Sequence, residues 1–164
     1  MINLPEIIQQ MTANAEAIRA LVQVFPARDT LWKPNAETWE MKDVMEHVYN
    51  EERIDFRLKL KEILGESPQA WDYASAESCS QALEGFLSER AASIAWLQTL
   101  TTPDWEVSKP FHFGPTEIHT FSAAEMLLSW VEHDYLHMRQ MVELLHAWNL
   151  QRAGRYSVMY AGGW

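Results

Sequence analysis

The stretch SAAEMLLSWVEHDYLHMRQMVELLHAW, residues 122–148, decides how the rest of the chain is read. It opens on Ser122 with Glu125 three residues later, the pairing of a capping box, in which each side chain takes up a backbone N–H that the first helical turn leaves unsatisfied. Leu127, Trp130, Val131, Met138, Met141, Leu145 and Trp148 then recur at steps that place them on one helical stripe. A long amphipathic helix is predicted here.

Working outward, prolines at positions 5, 26, 34, 68, 103, 110 and 115 partition the chain into four long windows able to hold a helix. In the first, Leu4, Ile7, Ile8, Met11, Ala15, Ile18, Val22 and Phe25 form a helical stripe, with Asn3 as N-cap, Pro5 in the first turn and Pro26 as the stop. The second follows the loop from Trp32 to Trp39. There Val44, Met45, Val48, Ile54, Leu58 and Ile63 supply an apolar face before Gly65, interrupted by His47 and Glu51. Polar groups on a core-facing stripe must be paired, hydrated or bound to something. The third window carries Leu83, Phe86, Leu87, Ile94, Leu97 and Leu100, with Ser75, Ser78 and Ser80 as candidate caps. No long run alternates apolar and polar residues, although the segment from Val107 to His119 has room for a short extended piece. The expectation is an all-α four-helix bundle with long inter-helix connections, forming a single domain over residues 1–164. The tail, residues 149–164, holds Tyr156, Met159, Tyr160 and Trp164 and is too apolar for a solvated terminus. It is expected to pack on the bundle or on a second copy, so a homodimer is among the expected states.

Thirteen basic residues against twenty-three acidic ones leave a net charge of −10 over 164 residues. That sign opposes the phosphate neutralisation behind nucleic-acid binding and disfavours anionic membrane surfaces. No apolar run reaches the roughly 18 residues of a membrane span, and no basic side chain precedes Arg19, so a cytoplasmic location is expected. Cys79 is the single cysteine, which excludes a multi-cysteine zinc site. A bound metal would have to use histidine and carboxylate.

His133 and His137, four apart on the predicted last helix, stack with about 5–6 Å between their β-carbons, within reach of one ion. His47 lies on the interrupted face of the second helix, so a bundle can bring all three imidazoles to one point. Such a site leaves at least one coordination position open, the arrangement of catalytic zinc sites. The alternative is one buried, hydrogen-bonded imidazole with the other facing solvent. Asp134, where a zincin has glutamate, rules out that motif.

The run from Trp130 to Gln140, WVEHDYLHMRQ, together with Trp39 to His47, WEMKDVMEH, resembles the DinB-like (DinB/YfiT) superfamily. In that family a tryptophan precedes a helix whose histidine, here His47, joins two histidines of the last helix, here His133 and His137, around a divalent metal. Glu40 stands where members often carry a serine or threonine cap. The family name refers to induction by DNA damage. Characterised members include metal-dependent thiol transferases and isomerases, and others are described as metal-dependent hydrolases.

The resemblance therefore implies a divalent-metal-dependent enzyme acting on a small molecule, among which a low-molecular-weight thiol is one class. Zinc and nickel are the first expectations for three imidazoles, with iron and copper also compatible. The open position would activate a thiol or a water. Glu51, one turn beyond His47, is the candidate catalytic base or outer-shell partner, and Asp134 or Glu132 are candidates to receive a free ring N–H. The competing expectation is a non-catalytic metal- or ligand-binding bundle.

Overall fold

The computed structural model describes residues 2–163. Helix α1 spans Leu4–Val24, α2 spans Met41–Asn50, and a π-type turn over Glu51–Phe56 leads directly into α3, Arg57–Ile63. Helix α4 covers Cys79–Leu97 and α5 covers Ala123–Ala153. Between them lie strands β1, Ser108–His112, and β2, Ile118–Ser122, paired antiparallel with Pro110 opposite Thr120. The fold is thus mostly helical with a small two-stranded sheet, which corrects the all-α expectation. Phe111 and Phe121 account for the hairpin, because both pack their rings against the core near α5 and cross-strand pairing satisfies the backbone beneath them.

The helix ends follow local chemistry. Ser122 and Glu125 form the reciprocal capping box, and Ser78 accepts from the backbone N–H of Gln81 at 3.2 Å. Glu40 takes the cap role itself, in a box with Asp43, so a carboxylate replaces the hydroxyl common at that position. Asn3 sits at the first cap position without a side-chain cap bond. Gly65, with φ of 86°, supplies the left-handed residue that lets the chain turn after α3.

Two apolar clusters make the core. One gathers Ile18 and Val22 of α1, Met45 and Val48 of α2, Phe86 of α4, and Met141 and Leu145 of α5. The other gathers Ile7 and Met11, Leu60 and Ile63, Leu97, and Leu127 and Trp130. Their order along each helix fixes the directions: α1 and α5 run from the second cluster to the first, while α2–α3 and α4 run the opposite way. The segment 64–78 must therefore travel back along the length of the protein before α4 begins, whereas the hairpin joins α4 to α5 at one end. Helix α1 packs against α4 and α5, and so does α2.

Ile54 and Leu58 are only half-buried, and the buried positions after Val48 are instead Asn50, Glu52, Leu60 and Ile63. The π-type turn is the cause, since its wider winding shifts the inward face relative to an unbroken α-helix. In the tail, Val158, Ala161 and Gly162 line one cavity with His146, Asn149 and Leu150, so this segment curls against the last turns of α5. Tyr156, Met159 and Tyr160 remain exposed. No helix among the described residues is long and apolar enough to cross a membrane.

Candidate metal centre

His47 near the end of α2 and His133 and His137 in the middle of α5 converge, each offering one ring nitrogen within 4.8 Å of the others. Nε2 of His133 lies 3.1 Å from Nε2 of His137, and the His47 ring centroid is 5.3 and 4.7 Å from theirs. Burial lowers the pKa of all three below the ordinary histidine value. For His133 the pKa falls to about 3, because burial is reinforced by His137, His47 and the Arg90 guanidinium. For His47, burial and His137 outweigh Asp55; for His137, burial outweighs Gln140 and Asp134. Neutral imidazoles are the form that a cation requires.

The donor set fits a divalent metal. A tetrahedral ion holding nitrogens at about 2.0–2.1 Å spaces them about 3.4 Å apart, close to the Nε2 separation seen here. Gln140 adds a further indication. Its Oε1 lies 2.9 Å from Nδ1 of His137, and an amide oxygen only accepts, so a hydrogen bond here calls for the tautomer with its proton on Nδ1, which leaves the Nε2 lone pair for the site.

The wall of the site is aromatic. Trp39 meets the His47 ring edge-on at 5.2 Å, and Phe56 lies 4.9 Å from the His133 ring and stacks parallel to Trp130 at 6.1 Å. Residues 47 and 56 of an unbroken α-helix are about 2.5 turns apart and so face opposite sides. The π-type turn brings Phe56 round to the histidine that His47 also approaches. Such turns recur at functional sites.

Glu51 opens this turn, with Oε1 3.8 Å from Nδ1 of His47. Burial first, and then the neighbouring Asp55, raises the pKa of its carboxyl, against the opposing pull of Lys59. That separation is outside hydrogen-bond range but within ion-pair range.

His133 also forms part of a cleft of about 600 Å³ walled by Phe56, Leu128 and Leu136 and bordered by Ser129, Glu125 and Glu132. Of the three clustered imidazoles, His133 is the one that lines this cleft. A larger cavity of about 970 Å³, between the start of α1 and the loop after α4, has no titratable side chain among the described residues that line it.

Two carboxylates expected to serve the histidines do not. Asp134 points into the core, where its two oxygens accept from the Arg90 guanidinium at 2.7 Å each, and Glu132 is exposed on the cleft rim. The reason is helical phase: His133 and Asp134 are adjacent and so face different sides of α5. His112 and His119 lie on the hairpin strands, His119 against Glu117 at 2.7 Å, and neither joins the cluster among the described residues. Cys79 is buried at the start of α4.

Gln140, Phe56, Glu52 and Arg90 escape a reading of the sequence as amphipathic stripes. Gln140 had a usable signal, since it follows His137 by three and His133 by seven and so shares their face. The others depend on the π-type turn or on contacts between distant helices.

No curated protein matches the chain. The model of one protein family, the DinB superfamily, matches residues 10–141, a span that includes all three histidines, Glu51 and Gln140. With most of its length matched, this chain belongs to the DinB superfamily.

Proposed function

We propose that His47, His133 and His137 hold a divalent cation, zinc or nickel before iron or copper, and that the protein is a metal-dependent enzyme acting on a small molecule. The observation that carries this reading is the convergence of three ring nitrogens within 4.8 Å, with every imidazole biased toward its neutral form. A dication in such a site lowers the pKa of a thiol or water bound at its open position, which supplies a nucleophile near neutral pH.

The surrounding residues have definable tasks within the proposal. Gln140 holds His137 with Nε2 turned inward. Glu51, at 3.8 Å from His47 and with a raised pKa, would accept a proton from a thiol or water bound beside it. Phe56, Leu128 and Leu136 offer an apolar wall to the body of a substrate, which suits a conjugate of a low-molecular-weight thiol or a hydrolysable small molecule. We read the architecture as a four-helix bundle of the DinB/YfiT type. The exposed Tyr156, Met159 and Tyr160 make the tail the surface through which two copies would pair, a state that sedimentation of the protein with and without residues 156–164 tests.

The deciding experiment is elemental analysis of the purified protein beside a variant with His47, His133 and His137 all replaced by alanine. About one equivalent of metal, lost in the variant, is the expected result. No metal in either, even after addition of zinc or nickel, rejects the reading. In a metal-loaded protein that turns over a thiol conjugate or an ester, Glu51→Gln is expected to slow turnover by about 10²–10⁴-fold while leaving the metal in place.

A further inference from the structure

A polar layer divides the two apolar clusters at the level of the histidines. It takes one residue from each helical rod, Asn14 of α1, Glu52 of the π-type turn, Arg90 of α4 and Asp134 of α5, and all four are at least 95% buried. Arg90 is the centre. Its Nη1 and Nη2 donate to the two oxygens of Asp134 at 2.7 Å each, Nη2 also donates to Oε2 of Glu52 at 2.8 Å, and Nη1 reaches the carbonyl of Met11 at 3.3 Å. Asn14 donates to Asp134 at 3.1 Å and the Trp130 indole N–H donates to Glu52 at 2.8 Å.

The places of these carboxylates in the chain give the layer its meaning. Asp134 lies between His133 and His137, so its side chain reports the rotation of the one turn of α5 that carries both. Glu52 lies five residues beyond His47 and fixes the start of the turn that carries Phe56 to His133. A planar guanidinium that grips one carboxylate through both oxygens leaves that helix little freedom to rotate. The same plane holds the other rod. Net stability does not by itself call for this arrangement, because buried ion networks are often replaceable by apolar side chains without loss.

We propose that Arg90 is the positioning residue of the histidine site: by holding Asp134 and Glu52 on one guanidinium, it sets the relative rotation of the two rods that bring His47, His133 and His137 together. This rests on the reading of the three histidines as a divalent-cation site. The fork supplies what short contacts among the imidazoles cannot, a rigid reference between the rods before any cation arrives.

The test is a cobalt(II) titration of the full chain, followed by the visible absorption of the ion and by calorimetry. In the variant Arg90→Met, Glu52→Gln, Asp134→Asn, the layer loses its formal charges but keeps acceptors for Trp130 and Asn14. It is expected to remain helical and to bind cobalt about 10–100-fold more weakly, with an altered spectrum. Arg90→Lys keeps a cation without the fork and is expected to fall between this variant and the parent protein. Phe25→Ala is the control, since it removes a buried ring packed on Trp32 and Trp148 while leaving the layer intact. It should lower Tm and leave cobalt affinity unchanged. Parent-like affinity and spectrum in both Arg90 variants would overturn the positioning role alone. Absence of cobalt uptake by the parent protein would overturn the metal reading, and the positioning role with it.

Discussion

Nε2 of His133 and Nε2 of His137 face one another at 3.1 Å, one helical turn apart on α5. Two charged imidazoles cannot occupy that geometry without strong repulsion, and their burial adds a desolvation cost to charging either one. A shared proton or a cation satisfies the pair. Close approach of two nitrogen donors is therefore linked to pH and to metal.

Without metal, acid should destabilise the protein through these rings. The unfolded chain takes up protons near the ordinary histidine value of about 6.5, whereas in the folded protein His133 resists down to about 3 and His47 and His137 are also lowered. Between those limits the unfolded state binds more protons, so stability is lost as pH falls through about 6.5 and continues to fall toward about 3. Glu51 works in the opposite sense, because its raised pKa makes protonation favour the folded state. Urea midpoints of chelator-treated protein between about pH 7.5 and 4.5 should decline, and the triple variant His47→Asn, His133→Asn, His137→Asn should decline less. Equal slopes would refute the assignment of this pH dependence to the histidines.

Glu52 is expected to matter more for stability than an exposed glutamate. Glu52→Ala leaves the Trp130 indole N–H and part of the Arg90 guanidinium without their acceptor inside the protein, and should cost about 3–5 kcal/mol in urea unfolding. Glu52→Gln keeps an acceptor but loses the charge, for a cost of about 1–3 kcal/mol. A loss below that of a surface substitution in both would mean that the layer relaxes around the change.

The periodic stripes of the first, third and last helices were legible because each buries one face over several turns, and Ser122 with Glu125 marks a start that any backbone would use. The three histidines were legible by spacing on α5 and by the polar interruption on α2, with the family resemblance selecting among the alternatives. The phase after Asn50 was not. A π-type turn is one hydrogen-bond register out of step with the α-helix, and the residues Glu51 to Phe56 carry no turn former such as glycine or proline that would mark it. Glu52 therefore lay hidden among exposed-looking charges, and Arg90 with it, since only the packing of α4 against the other rods shows which arginine is enclosed. The hairpin was visible only as a short extended stretch because its apolar residues serve a packing surface supplied from elsewhere in the chain.

Gln140 should act on the metal and little on the fold. Its Oε1 orders His137 through Nδ1, so Gln140→Ala frees that ring to turn and is expected to weaken zinc or nickel binding by about 10–100-fold. Gln140→Glu, which retains an acceptor, should bind at least as well as the alanine variant. Equal metal affinity in the parent and the alanine variant would show that packing alone orients the ring.

Cys79 tests how burial competes with a helix terminus. The start of a helix favours a thiolate, yet Cys79 is enclosed, and burial raises its pKa to about 11 despite the favourable pull of Lys42. The folded protein at about pH 8 should react with a disulfide reagent far more slowly than the urea-unfolded chain. Comparable rates would place the thiol in a more accessible setting than the start of α4 provides. Cys79→Ala should leave metal stoichiometry unchanged, since the cysteine lies outside the histidine cluster.

Metal should stabilise the folded chain by mass action, because three ring nitrogens from α2 and α5 meet only when those helices are packed. At a free metal concentration one hundred times Kd, the gain is about 2.7 kcal/mol. For a protein of this length that corresponds to a rise in Tm of roughly 5–10 °C. Scanning calorimetry of the chelator-treated protein with graded zinc or nickel would read this directly. The variant with alanine at His47, His133 and His137 should show no such rise. A parallel rise in parent and variant would assign the effect to surface carboxylates, which are plentiful at a net charge of −10, and remove the support that thermal stabilisation gives to the histidine site.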